Sequence, residues 1–268
     1  HMLRNFPSAR RPLIGLAVAT LAAALLAGCG SGSSSADSSA PTAPGPSVGT
    51  KLDKPVSSSV LSIPMVDAHG HRHTLGDFAG KVVVISDSMT LCQETCPIDT
   101  STVVQTARDV EKAGLGDDVE FLTITVDPHR DTPKRLRAYR RLFGAAPADW
   151  MTLTGTTAHI HQLWKHLGVY WKRVPGDSPA PKDWMTGAPL TYDVEHSDEV
   201  FFFGGHQHER FLLEGPPHIS STSAIPKTLY TFMTDEGHHN TVHPKPTAWT
   251  AGQALHVISW LSGHQIRS

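Results

Sequence analysis

Hydrophobic and polar positions divide the chain into three stretches. Residues 13–27 are one continuous apolar run, and residues 30–46 contain only Ser, Ala, Gly, Pro, a single Thr and one charge, Asp37. From Val60 onward, short apolar runs alternate with helical periodicity. There, residues 59–66 and 70–75 read as a hairpin, and residues 81–86 (Lys-Val-Val-Val-Ile-Ser) have the β-branched character of a strand buried on both faces. Residues 97–113 place Val103, Val104, Ala107 and Val110 on one face of a helix, which Pro97 opens and Gly114 and Gly116 close. Residues 119–126 predict the next strand, 133–143 a second, basic helix, 156–167 a third helix and 169–174 a further strand. Residues 199–203 and 206–213 flank Gly204-Gly205 as a hairpin, and residues 250–261 carry Leu255, Ile258 and Leu261 on a last helix. This order predicts an α/β sandwich, a central mixed sheet flanked by helices. Residues 215–248 fall outside the plan and read as an insertion before the last helix, with a strand at 228–233.

The first stretch is an address. Arg4, Arg10 and Arg11 precede the apolar run, and small residues follow it as far as Cys29, the order of a secretory signal. Leu26-Ala27-Gly28-Cys29 resembles the bacterial lipobox, which implies cleavage before Cys29 and lipidation of its thiol; His1-Met2 reads as a cloning remnant. The expected organisation is a signal peptide over 1–28, a lipid-anchored flexible linker over 29–56 and a folded domain over 57–268 on the extracytoplasmic face of the cell membrane. The linker is too poor in apolar residues to offset its chain entropy.

Composition narrows the functions. The 268 residues hold 23 Lys plus Arg against 25 Asp plus Glu, and cleavage would remove three arginines and no acid. The folded part is therefore acidic, which argues against nucleic acid as a partner and against a cationic membrane-binding surface on the protein. Three cysteines are too few for a disulfide scaffold or a four-cysteine zinc site, and Cys29 is spent on the anchor. One pair remains, Cys92 and Cys96, just after a buried strand and at the start of a helix. Four residues apart on a helical turn, their Cα atoms are about 6 Å apart, so the pair can close a disulfide or chelate one metal. Helix N-terminal amides favour the thiolate, which is both nucleophile and ligand. Two thiolates underfill a Cu(I) site, for which an imidazole is a reasonable third donor. With 17 histidines present, spacing alone selects none of them.

Three motifs in order carry a resemblance: Cys92-x-x-x-Cys96-Pro97, Val126-Asp127-Pro128-His129-Arg130-Asp131-Thr132-Pro133 and Tyr192-Asp193-Val194-Glu195-His196-Ser197. Together they are similar to the Sco/SenC family of copper-binding, thioredoxin-like proteins. The likeness spans roughly residues 61–213 plus the last helix, and Asp77-Phe-Ala-Gly-Lys81 matches the wider thioredoxin-like group. It implies that Cys92, Cys96 and His196 bind copper, as Cu(I) and also Cu(II). It further implies that Asp127 and Asp131 shape the site from a neighbouring loop, and that the protein helps mature the copper A centre of cytochrome c oxidase. The implied partners are the oxidase subunit that carries copper A and a copper donor chaperone; a monomer is the default state. Asp127 to Asp131 alternatively form a turn with an internal ion pair. The segment 86–91 lacks the family's usual aromatic-glycine lead, and Gln93-Glu94-Thr95 replaces its commoner spacer. Glu94 is expected to raise the thiol pKa values and strengthen cation binding. Met89 is expected to pack rather than ligate.

A rival reading is a thiol-disulfide reductase that keeps the oxidase cysteines reduced, with Cys92 and Cys96 as nucleophile and resolver. His196 discriminates, because copper needs it and dithiol exchange does not. No proline stands in residues 191–198, where thioredoxin-type reductases place a cis-proline, and this favours the metal. A peroxidase is disfavoured because the proline and threonine of that family do not stand at the expected positions before Cys92, and a redox sensor stays open. Histidine clusters at His69, His71 and His73, at His206 and His208, and at His238, His239 and His243 are candidates for a second metal or for copper in transit. His159, His161 and His166 share a helix with Trp164 and read as packing.

Overall fold

The structure is a computed structural model and describes residues 39–267, which belong to one compact unit. The signal segment and Cys29 lie outside the described residues.

Two strands make the centre, β4 (Val82–Ser88) and β5 (Val119–Thr125), and every residue of both is buried. They pair in parallel, joined by helix α2 (Cys96–Lys112), as a crossover between parallel strands requires. Side chains alternate across the strand, so Val82 and Val84 enter one apolar cluster while Val83 and Ile85 enter the other. α2 and the last helix, α7 (Ala251–Ser262), cover the first face with Val103, Val104, Ala107, Val257 and Ile258. The second face is covered by α4 (Thr157–Leu167), whose Trp164 is fully buried and donates its indole N–H to the Thr125 carbonyl at 2.8 Å. A third helix, α3 (Pro133–Leu142), is capped by the Thr132 hydroxyl.

The sheet has eight strands, ordered β1-β10-β9-β4-β5-β6-β2-β3. Its remaining members are β1 (Thr50–Pro55), β2 (Met65–Asp67), β3 (Arg72–His73), β6 (Trp150–Thr154), β9 (Glu199–Phe203) and β10 (His208–Glu214). β6 lies parallel to β5, whereas β9 and β10 run antiparallel, which gives the mixed sheet expected of a thioredoxin-like sandwich. A separate two-stranded ribbon, β7 (Trp171–Pro175) with β8 (Tyr192–His196), leads directly into β9.

Three expectations need correction. The linker does not run to Val56: Thr50–Pro55 is an edge strand on β10, and upstream of it the Thr42 carbonyl accepts from His256 at 3.1 Å. Residues 59–66 begin with a helical turn, α1 (Ser58–Leu61), so only β2 and β3 form the hairpin. The strand expected at 228–233 is instead helix α5 (Lys227–Phe232), because Pro226 caps it and the buried Leu229 and Met233 stand one turn apart. The strand expected at 169–174 is present as β7, paired with β8 in the separate ribbon. After α5 the insertion continues as α6 (Asp235–Val242), capped by the Thr234 hydroxyl on Gly237 N.

Candidate metal centre

The site forms where β4 ends. That strand delivers Asp87 to its C-terminal end, a tight loop follows, and Cys92 and Cys96 bracket the entry to α2. Two long-range anchors fix the loop: the Trp184 indole N–H donates to the Thr90 carbonyl at 2.8 Å, and Asp131 accepts from the Thr90 amide and hydroxyl at 3.2 and 2.5 Å. Asp131 also accepts from the Thr125 hydroxyl at 2.7 Å, so one buried carboxylate ties the ends of β4 and β5 together. Asp127 pairs with Arg130 and accepts from the Tyr192 hydroxyl at 3.0 Å, which links this turn to β8. The Asp127 to Asp131 segment thus contains an internal ion pair, and its Asp131 is hydrogen-bonded to Thr90 in the loop before Cys92.

His196 is the last residue of β8, and the short connection into β9 leaves its ring against the sulfurs. Its Nε2 lies 3.3 Å from Cys96 Sγ, and the ligand atoms of Cys92, Cys96 and His196 all lie within 4.8 Å of one another. Cys92 Sγ in turn accepts from the Cys96 amide at 3.3 Å, so the helix N-terminus does point at a sulfur. The sequence thus put three residues separated by more than a hundred positions into one candidate site, and the structure brings them together.

Sequence reasoning missed the residue on the other side of the ring. His196 Nδ1 donates to Asp87 Oδ2 at 2.7 Å and lies 2.9 Å from the Ser197 carbonyl, while Asp87 Oδ1 accepts from Glu199 N at 2.8 Å. The Asp87 side chain has no exposed surface and that of His196 only 4%. A carboxylate ending an otherwise apolar buried strand was the available signal, since buried charges are rare unless paired. Asp198 Oδ1 stands 3.8 Å from the same nitrogen and, with Asp87 and His196, forms a second grouping of ligand-type atoms.

Electrostatics is where the expectations change most. Cys92 is pushed up by its hydrogen bond with Cys96 and by burial, and Cys96 is pushed up by burial and by Asp198 and Asp99. The helix N-terminus does not win against this desolvation. Glu94 is not the source of the effect: it is exposed, and its acidic neighbours are Asp193, Glu236 and Asp177. Burial also raises Asp99, and it lifts Asp198 to about 6 and Glu199 to about 7, each further raised by crowding with the other acids. Burial alone would depress His196, but the bond to Asp87 and the nearby Cys92 hold its pKa well above the ordinary imidazole range. His196 therefore faces two thiols and the carboxyls of Asp87, Asp99 and Asp198, with Lys245 as a further, weaker influence on Asp198. Asp99 Oδ2 and Glu199 Oε2 are buried with no hydrogen-bond partner. Such a pocket is short of positive charge, and its reactive face offers two sulfurs and one imidazole nitrogen.

The other histidine clusters go elsewhere. Asp67 accepts from the amides of His69 and His71 and from His73 Nε2, closing the β2–β3 turn. His208 pairs with Asp53 on the edge strand at 2.8 Å, and His161 stacks on Trp171 at 3.5 Å. Met89 is buried in the same apolar cluster as Cys92 and Cys96, as expected of packing.

Fold and site define a thioredoxin-like protein with a buried dithiol and an imidazole at the end of the central strand. The SCO1/SenC family profile matches residues 62–227, and the chain belongs to that family. Among curated relatives, protein sco1 of Schizosaccharomyces pombe is 32% identical over 139 residues, 52% of this chain and 48% of the relative. The chain spans about half or less of the length of the first curated relatives it matches. A SCO1/SenC family lipoprotein from Bacillus anthracis shares the fold at 20% identity and a TM-score of 0.51, covering 67% of this chain and 95% of its own. Yeast Sco1, solved with copper bound, aligns at 20% identity and a TM-score of 0.46 over 74% of this chain and 97% of its own. Among the described residues no helix is long and apolar enough to cross a membrane.

Proposed function

We propose that this protein is an extracytoplasmic copper metallochaperone, held to the membrane by a lipid on Cys29, that carries one copper ion on Cys92, Cys96 and His196. The ion is cargo: it arrives from a donor chaperone and leaves by ligand exchange to the copper A subunit of cytochrome c oxidase. The observation that carries the reading is the meeting of two buried sulfurs and one imidazole nitrogen within 4.8 Å inside a pocket of unbalanced carboxyls. Two thiolates with an imidazole suit Cu(I), and the surrounding negative charge also favours Cu(II). Asp87 holds the Nδ1 proton, so the proton that leaves when a metal binds is the one on Nε2, the nitrogen that faces the sulfurs. Burial of both thiols, with pKa values pushed up, opposes fast dithiol exchange at neutral pH and weighs against the reductase reading.

The test is a Cu(I) titration of the reduced chain from Ser39 onward against a competing chelator, beside Cys92→Ser, Cys96→Ser and His196→Ala. One tightly held copper, weakened by each substitution, is expected. If His196→Ala binds copper like the parent while dithiol exchange with an oxidised partner is fast, the reductase reading replaces this one.

A further inference from the structure

Helix α6 lies beyond residues 62–227, the part matched to the family, and its histidines take no share in the site above. His239 lies in the last turn of α6 and His243 is its C-cap, four residues on, and the two side chains meet on one side of the helix end. Their rings are stacked, with centroids 4.3 Å apart and planes inclined by 12°. Both residues are exposed, and the His243 amide donates to the His239 carbonyl at 3.0 Å, which fixes the final turn between them. His238 is engaged otherwise: its Nε2 donates to the Tyr230 carbonyl at 2.7 Å and its ring packs on Tyr230.

We propose that His239 and His243 are a second metal site of this chain, taking one borderline divalent ion through one ring nitrogen each, with Cu(II) preferred. To share an ion the stacked rings would turn about their side-chain torsions, on a backbone turn already set by the His243–His239 hydrogen bond. Neutral imidazoles suit Cu, Ni and Zn, and among divalent ions Cu(II) binds such donors most strongly. Asp235 and Glu236 in the first turn add negative charge to the same short helix. With two protein donors and water completing the shell, the site holds its ion more loosely than a buried three-donor pocket.

Its position gives it a use. The Thr234 amide at the start of α6 donates to the Gln93 carbonyl at 3.0 Å, and Gly237 sits so close to the backbone of Gln93 and Glu94 that a Cβ would not fit. The helix bearing the two histidines is thus seated on the loop between Cys92 and Cys96. We infer a loading station at which an incoming ion is first held beside the cargo site; this second part rests on the copper reading above, whereas the metal site itself does not.

The experiment uses the full chain carrying Cys29→Ser, Cys92→Ser and Cys96→Ser, its fold checked by circular dichroism, titrated with Cu(II) and followed by electron paramagnetic resonance. One equivalent with an axial spectrum and coupling to imidazole nitrogen is expected. It should be lost in His239→Ala and in His243→Ala and kept in His238→Ala and in His71→Ala/His73→Ala. An imidazole-coupled signal that survives His239→Ala/His243→Ala, or no bound Cu(II) at one equivalent, overturns the site. A second arm loads the wild-type chain from a weak Cu(II) chelate in the presence of ascorbate, which reduces the ion to Cu(I), and follows arrival at the thiols by ultraviolet absorption. Slower loading in His239→Ala/His243→Ala with unchanged final occupancy supports the loading role. Unchanged rates refute that role but leave the site intact, and failure of any copper to reach the thiols counts against the proposed function instead.

Discussion

Replacing Asp87 by Asn separates copper affinity from fold stability. The carboxylate accepts two short hydrogen bonds, from His196 Nδ1 at 2.7 Å and Glu199 N at 2.8 Å, with no exposed surface. An amide has one acceptor oxygen. If that oxygen serves Glu199 N, the NH2 group faces Nδ1 and drives the ring proton onto Nε2, the nitrogen that must meet the metal. If it serves Nδ1, the NH2 group opposes the Glu199 amide. Loss of such a partner weakens metal binding by about 10- to 100-fold, or roughly 1.4 to 2.8 kcal/mol. The metal-free fold also loses one satisfied buried bond and the Asp87–His196 attraction, but relief of crowding on Asp99, Asp198 and Glu199 offsets part of that loss. Chelator competition should therefore show weaker copper, while thermal melts of the apo protein show only a modestly lower Tm. Unchanged copper affinity in Asp87→Asn, alongside a large loss in His196→Ala, would refute the orienting role of Asp87.

Three further outcomes follow from the same physics. Asp131→Ala strands the Thr90 amide and the hydroxyls of Thr90 and Thr125, and should cost on the order of 2 to 3 kcal/mol in urea unfolding. Asp149 is buried with both carboxylate oxygens unpartnered, and burial and then Glu111 raise its pKa to about 7. A folded pKa raised above the unfolded value makes the acid's contribution full below about pH 4 and lost as pH rises through 7, so Asp149→Asn should flatten the Tm profile over that window and stabilise most above it. Gly237→Ala would ordinarily stabilise a helix by about 1 kcal/mol, but here the Cβ collides with the Gln93–Glu94 backbone; lower Tm and faster proteolysis within the insertion are expected.

Much of the fold was legible because its elements bury apolar side chains at a fixed period. The wholly buried β4 and β5, the capped α3 and α4 and the aromatic β9 all announced themselves this way. The edge strand β1 did not, because Thr50–Pro55 carries lysines and proline and is held by its backbone ladder to β10, which composition does not reveal. α5 was misread because Thr-Leu-Tyr-Thr-Phe has high β propensity, and the burial of Leu229 and Met233 on one side decides it.

The site divides along the same line. The sequence by itself determined the two thiols, their four-residue spacing at a strand-to-helix junction and, through resemblance, the distant His196, since these are local chemistry and ordered motifs. Only the tertiary structure decided which acids surround them. It put Asp99 and Asp198 near the cysteines and Asp87 behind His196, sent Glu94 outward, tied Asp127 and Asp131 to Tyr192 and Thr90, and seated α6 on the cysteine loop. The physical reason is that Coulombic and desolvation effects depend on distance and burial through space, and separation along the chain carries almost no information about either.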